Sequence, residues 1–334
     1  MKKNLLIWIL TIAIILPLLF YVLKDINLVQ IYELLKQIKI NYFLIAVLCY
    51  FIGLLLWNLR FTKSVRYVVN GDYWFMLSVL LSGTFFNSIT PGQNVGGEPI
   101  RAYFIGKKYK KSKTKILGVI LADKLMNLFV YSLFLIFSIL FVLTFLSIST
   151  KMKLILEICL ISVIILIGIV TYFVHSNKKI NLDILLKLIY NFGFERYFKT
   201  REEFLSYFNK MINGFIKSFK KVLRDKKLFR AGLIISLVYW ISNFLISYLL
   251  FLSFDYKINF LSIVIVFTLG YFAGELSPIP GGIGIVETAM LLLYSAMGIP
   301  LELAILVTLL SRVIHYIFSY IIGGLCFLYL KLKY

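Results

Sequence analysis

Two stretches, Ser277–Glu287 (SPIPGGIGIVE) and Ser88–Glu98 (SITPGQNVGGE), share one skeleton. Each places a serine three residues before a Pro-Gly pair and a glutamate seven residues after the proline. In one copy these are Ser88, Pro91, Gly92 and Glu98; in the other, Ser277, Pro280, Gly281 and Glu287. Gly96 and Gly97 add to the first copy, Gly282 and Gly284 to the second. Proline removes a backbone donor and glycine relaxes the chain, so each copy should interrupt a helix. Both lie between apolar runs long enough to be membrane-embedded, which points to an internal duplication and a transport path.

The surrounding chain fixes that context. Of 334 residues, 61% are hydrophobic and 15% charged, with mean hydropathy +0.92. Soluble domains run at about 45–50% apolar and about 25% charged. Several apolar runs have the roughly 20 residues needed to cross a bilayer, and alternating strand patterns are absent. The fold class is therefore an all-α, polytopic transmembrane bundle in the cell membrane. The net charge of +21 sits in loops beside the apolar runs. That placement suits orientation in the membrane and attraction to anionic headgroups rather than nucleic acid. Cys49, Cys159 and Cys326 are far apart inside apolar runs and have no metal-ligand spacing. No metal and no cofactor is expected, and self-association into a homo-oligomer is left open.

In chain order, Asn4–Leu23 reads as a retained first span, with Lys2 and Lys3 in the cytoplasm. Asp25–Lys39 is amphipathic and expected in the interface. Tyr42–Leu59 is a second span, with Arg60, Lys63 and Arg66 at its cytoplasmic end. Trp74–Thr90, the first break and Pro99–Gly106 then precede the basic run KKYKKSKTK, Lys107–Lys115. A full crossing would put that run outside, so a re-entrant hairpin from the cytoplasm is expected. Ile116–Ile148 is overlong, and Leu154–Val174 returns inward. His175–Arg230 is a polar insert whose second half is a basic amphipathic helix, resting on the inner leaflet, lying under the bundle or simply solvated. Ala231–Leu252 crosses outward; Phe260–Leu276 and Ile285–Met297 flank the second break; Leu301–Leu330 crosses inward to a cytoplasmic C-terminus. On this reading residues 74–174 and 231–330 are two repeat-like halves of one membrane domain, separated by the insert 175–230. The second hairpin enters from outside, so the halves form an inverted repeat.

A charge at the bilayer centre costs about 2.5–3.5 kcal/mol on insertion scales, so retained charges are paired or useful. Glu98 and Arg101 are spaced to share a helix face, as are Arg312 and His315. Lys124 follows Glu98 by 26 residues, and Arg312 follows Glu287 by 25. Asp123, Asn127 and Glu275 complete the polar set. Two uses compete: internal pairing such as Glu287 with Arg312, or a polar path. On the second, Arg101, Lys124 and Arg312 attract a phosphate while Glu98 and Glu287 contact a cationic or hydroxylated headgroup. Helices starting after each break would add bare amides and a positive dipole end. Nucleotide-binding, zinc-hydrolase and nucleophile-elbow patterns are missing, so no catalytic residue is assigned.

The segments TPGQNVGGEPIRAYF (Thr90–Phe104), SPIPGGIGIVETAM (Ser277–Met290) and SRVIHYIFSYIIGG (Ser311–Gly324) resemble the lysylphosphatidylglycerol synthase transmembrane-region family, also called the flippase-like domain. The resemblance runs from about Lys2 to Leu330. In that family the membrane module can precede a soluble aminoacyl transferase; nothing follows Tyr334 here, so aminoacylation is not expected. What the resemblance implies is movement of a lipid headgroup between leaflets, with membrane lipids as partners. Related modules occur in archaeal lipid-linked glycosylation proteins. Lys124 departs from the arginine common in the family, and a lysine lacks bidentate geometry. The expected function is lipid translocation; the alternatives are an enzyme or accessory of lipid-linked glycan or lipid modification, and a small-solute secondary transporter.

Overall fold

The computed structural model describes residues 28–90, 96–146, 148–176 and 200–334. The expected first span Asn4–Leu23, both Pro91 and Gly92, and most of the first half of the polar insert lie outside the described residues. Every regular element among the described residues is helical: α1 (Leu28–Lys36), α2 (Ile40–Val65), α3 (Tyr73–Ile89), α4 (Gly97–Tyr109), α5 (Lys113–Phe145), α6 (Thr150–His175), α7 (Arg201–Arg224), α8 (Lys226–Ser253), α9 (Phe260–Glu275), α10 (Ile285–Ala296), α11 (Leu301–Tyr316) and α12 (Gly323–Lys333). A short 3₁₀ turn, Pro280–Gly282, lies in the second break, and a π-helical turn, Ile317–Ile322, joins α11 to α12. Five helical stretches are long and apolar enough to cross a membrane: α2, α5, α6, α8 and the run Leu301–Lys333. The chain is a multi-pass helical membrane protein.

The apolar side chains gather into two main cores. One holds Phe244, Phe251, Ile263, Phe267, Val286 and Tyr294, from α8, α9 and α10, with α11 packed on them. The other holds Phe61, Met76, Leu80, Phe104, Ile105 and Ile116, from α2, α3, α4 and α5. Each core contains one broken helix folded back on itself: α3 against α4, and α9 against α10. Two long helices thread both cores. Helix α2 contributes Ala46 to one and Leu54 to the other; α5 contributes Met126 to one and Val130 to the other.

Two boundaries differ from the sequence reading. Helix α2 does not end before Arg60 but continues to Val65, and Arg60 is 2% exposed. An aspartate on α5 neutralises it, so it needs no water. The basic run does not stay in the loop: Lys113 and Lys115 open α5, whose 33 residues bear out the overlong apolar run. The basic amphipathic segment is α7, which lies along α5 and buries Phe204, Phe219 and Val222. Contact is close where Gly118 faces the Phe215 backbone; a Cβ at Gly118 would sit 2.5 Å from that carbonyl oxygen.

Residue Asp225 turns α7 into α8. Its carboxylate accepts the amides of Lys227 and Leu228, both at 2.9 Å, and the hydroxyl of Tyr67. The preceding Arg224 donates to the last carbonyls of α6, at Val174 (2.9 Å), His175 (3.2 Å) and Ser176 (3.1 Å). A cation at a helix C-terminus is favoured by the dipole and by the unpaired carbonyls there.

Replacing Gly118 by Ala should push α7 off α5 and cost about 1–3 kcal/mol of overpacking, read as a lower Tm in detergent. Gly168→Ala meets nothing within 4 Å and should not lower it. The Tyr67 hydroxyl, with the two amides, holds the Asp225 carboxyl below its ordinary range. Its contribution to stability is therefore full above about pH 4 and lost as pH falls further. Asp225→Asn should remove that acid limb from the pH dependence of Tm.

Candidate functional site

The two breaks meet. Tyr320, in the π-helical turn, donates to the Ser88 carbonyl at 3.1 Å, and a Cβ on Gly281 would sit 3.4 Å from both that carbonyl oxygen and the Tyr320 hydroxyl. At the first break Gly96 has φ 111°, a conformation open to glycine, and α4 starts directly after it. The Gly97 amide is taken by Asn87 Oδ1 at 2.7 Å. A Cβ at Gly97 would lie 2.3 Å from the Gly83 carbonyl oxygen, so α3 and α4 can close only on glycine. At the second break Gly281 has φ 64° and directs its carbonyl to Arg312 Nη2 at 2.9 Å. Ser277 Oγ accepts the Ile279 amide at 3.0 Å, and Glu287 Oε2 accepts the Gly284 amide at 2.6 Å. One amide at the start of each helix, that of Gly97 and that of Gly284, is thus taken by Asn87 and by Glu287.

Each glutamate in the first turn after a break pairs with a cation on the next helix. Glu98 on α4 meets Lys124 Nζ of α5 at 2.7 Å. Glu287 on α10 meets Arg312 Nε of α11 at 2.5 Å, and also accepts the Tyr316 hydroxyl at 3.2 Å. Both carboxylates sit at a positive helix end, where the dipole favours them. The internal pairing weighed from sequence is present in both copies. The partners differ: the Lys124 side chain is 30% exposed and that of Arg312 6%.

A third pair lies between the two. Arg60 holds Asp123 with Nε at 2.9 Å and Nη2 at 3.2 Å, and Nη1 donates to Asn127 Oδ1 at 3.1 Å and Ser236 Oγ at 2.5 Å. Ser64 donates to the same aspartate at 3.1 Å. Arg101 is different. It is buried, with one bond among the described residues, from Nη2 to the Leu80 carbonyl at 3.3 Å, and its Nε has no partner among them. Its guanidinium lies 5.2 Å from the Trp57 ring centre, and among the described residues no carboxylate stands within ion-pair distance. A guanidinium carries five N–H donors, so Arg101 has donors to spare.

These groups line one cavity of about 160 Å³. Glu98, Arg101, Lys124, Arg312 and His315 are on its wall, with Ser88 and Gly281 from the breaks. Glu287 stands behind Arg312, and Gly96, Gly97, Gly282 and Gly284 shape the backbone behind the wall without lining it. His315 Nδ1 donates to the Ser311 carbonyl at 2.7 Å, and Nε2 lies 3.2 Å from Asn243 Oδ1. Arg60 and the aromatic wall of Tyr50, Trp57, Tyr239, Tyr271 and Tyr316 were not singled out from sequence. Their only local signal is a polar or amphipathic residue inside an apolar helix, and tyrosines are too common in such helices to stand out.

A model of the lysylphosphatidylglycerol synthase TM region matches residues 8–323. Among similar proteins, a UPF0104 membrane protein of Pyrococcus horikoshii is 28% identical over 97% of this chain and 96% of its own length. Another UPF0104 membrane protein, from Methanothermobacter thermautotrophicus, is 27% identical over 86% of this chain and 85% of its own. A phosphatidylglycerol lysyltransferase of Staphylococcus aureus is 30% identical over 90 residues, 27% of this chain and 11% of that protein.

Removing one member of a buried pair strands the other. Arg312→Met should cost about 3–5 kcal/mol, and adding Glu287→Gln should recover part of it, measured by thermal unfolding in detergent. Lys124→Met should cost less, because that lysine is partly solvated.

Proposed function

The chain belongs to the lysylphosphatidylglycerol synthase TM-region family, and from that premise we propose that it moves a phospholipid or lipid-linked headgroup between leaflets. One observation carries this: both broken helices deliver their ends to a single cavity whose wall holds Arg101, Lys124 and Arg312. In this reading the phosphate of an anionic headgroup binds Arg101, whose spare donors suit phosphate oxygens. Lys124 is the second cation in reach, since its ammonium shares Glu98 and remains partly exposed. Arg312 is held by Glu287 and by the Gly281 carbonyl, and supplies field rather than a free fork. Glu98 and the tyrosine hydroxyls receive the cationic or hydroxylated part of the headgroup.

The matched Glu98–Lys124 and Glu287–Arg312 pairs support residues 74–174 and 231–330 as two related halves around this cavity. On the inverted-repeat reading α3–α4 dips in from the cytoplasmic side and α9–α10 from the other, with both termini cytoplasmic and the cavity between leaflets. Exchange is passive or ion-driven, since the sequence shows no ATP-binding pattern.

The test is leaflet exchange in reconstituted vesicles, followed by dithionite quenching of a fluorescent phosphatidylglycerol. Wild-type protein should accelerate exchange. Arg101→Ala should slow it about tenfold or more, the rate equivalent of the 1.5–3 kcal/mol of a hydrogen bond to a charged group. Arg101→Lys should retain part of the rate, with unfolding temperature measured alongside. Absence of acceleration for anionic, zwitterionic and aminoacylated lipids alike would sink the proposal.

A further inference from the structure

A second cavity, of about 750 Å³, opens between α5 and α6, with the α7–α8 elbow at one end. Its wall is mainly apolar: Leu125, Leu128 and Leu135 of α5 face Val163, Ile167 and Val170 of α6. Among the lining residues, Arg224 and Lys226 place positive charge at the elbow, and Glu275 places negative charge where α9 closes the inner side. The α6 positions 163, 167, 170 and 174 form one helical stripe, yet of all α6 only Val174 is buried. The stripe therefore borders a gap.

Length and chemistry restrict what fills it. The lining runs from Leu125 to Leu135 on α5 and from Val163 to His175 on α6. At 1.5 Å per residue these are about 15 and 18 Å, half of the roughly 30 Å hydrocarbon core and thus one leaflet deep. Water needs polar partners that such a wall mostly lacks. The volume falls within the range of about 300–1,000 Å³ for small-molecule sites. Two residues, Leu128 and Glu275, line both this groove and the polar cavity, so the compartments adjoin.

We infer that this groove seats one hydrocarbon chain of a membrane lipid whose headgroup reaches the polar cavity across Leu128 and Glu275. The inference rests on the lipid reading above and adds where the tail goes and from which side the lipid arrives. Arg224 and Lys226 at the elbow complement a phosphate still at the membrane surface, before the headgroup passes inward.

The test uses the full chain in phosphatidylcholine vesicles containing a phosphatidylglycerol with a diazirine midway along one chain, with adducts mapped by mass spectrometry after photolysis. Adducts should concentrate in Leu125–Leu135 and Val163–Val174. They should be lost in Val170→Trp and in a milder filling variant, Ile167→Phe, and persist in Ile169→Trp, which adds the same bulk to an exposed face. Adducts spread over outward side chains such as Ile165 and Ile169, unchanged by filling, would overturn the inference. So would a groove that excludes the label because another segment of the chain occupies it. A separate arm measures binding of glycerophosphoglycerol, the same lipid without its chains, to wild type and Arg101→Ala by saturation-transfer NMR. A labelled groove with no headgroup binding sinks the polar-cavity reading alone. Headgroup binding with an unlabelled groove sinks only the inference drawn here.

Discussion

A helix broken inside an apolar bundle exposes backbone groups that hydrocarbon cannot satisfy, and each must find a partner in the chain. Around the two breaks those partners are few and specific. Asn87 takes the Gly97 amide, Glu287 the Gly284 amide, Arg312 the Gly281 carbonyl and Tyr320 the Ser88 carbonyl. Three of these four reach across a helix boundary, the last joins the π-helical turn to the first break, and Ser277 takes the Ile279 amide within the second break. The breaks therefore set the packing. Helices α4 and α10 begin where they do because their first turns are anchored, and the last span carries a π-helical turn at the level where Tyr320 must reach the first break.

Anchoring a break with a carboxylate introduces a charge, and the charge then requires a counterion. At the second break, where Glu287 takes the Gly284 amide, this explains why Arg312 sits on the helix after the hairpin. The arrangement leaves Arg101 as an exception, buried beside Glu98 but bonded only to a carbonyl. A structural guanidinium in such a place would be expected to have a carboxylate of its own, as Arg60 has Asp123. These two arginines thus contrast: one is saturated and the other keeps spare donors.

Legibility in the sequence followed locality. The helix breaks, the glutamate after each and the spacing of 26 and 25 residues to the next cation are short-range patterns tied to turn chemistry and helix length, so they could be read directly. The all-α membrane class followed from composition. The Arg60–Asp123 pair was not legible, since Arg60 looks like an ordinary interfacial arginine at the end of an apolar run, and only the passage of α5 beside it makes it internal. The occupied amides at Gly97 and Gly284 were missed for a similar reason: Asn87 lies ten residues before the amide it caps, and the glutamate was read as a ligand before it was read as a cap. Neither the π-helical turn nor the groove beside α6 has a local pattern, because both arise from how far neighbouring helices stand apart.

The two glutamate–cation pairs share a plan but not a stiffness. Arg312 grips Glu287 and the Gly281 carbonyl at once, so a planar fork fixes both the carboxylate and the turn that carries it. Lys124 holds Glu98 through a single point charge on a flexible stem and keeps nearly a third of its side chain exposed. Moving Arg312 to another anion would free the Gly281 carbonyl inside the bundle.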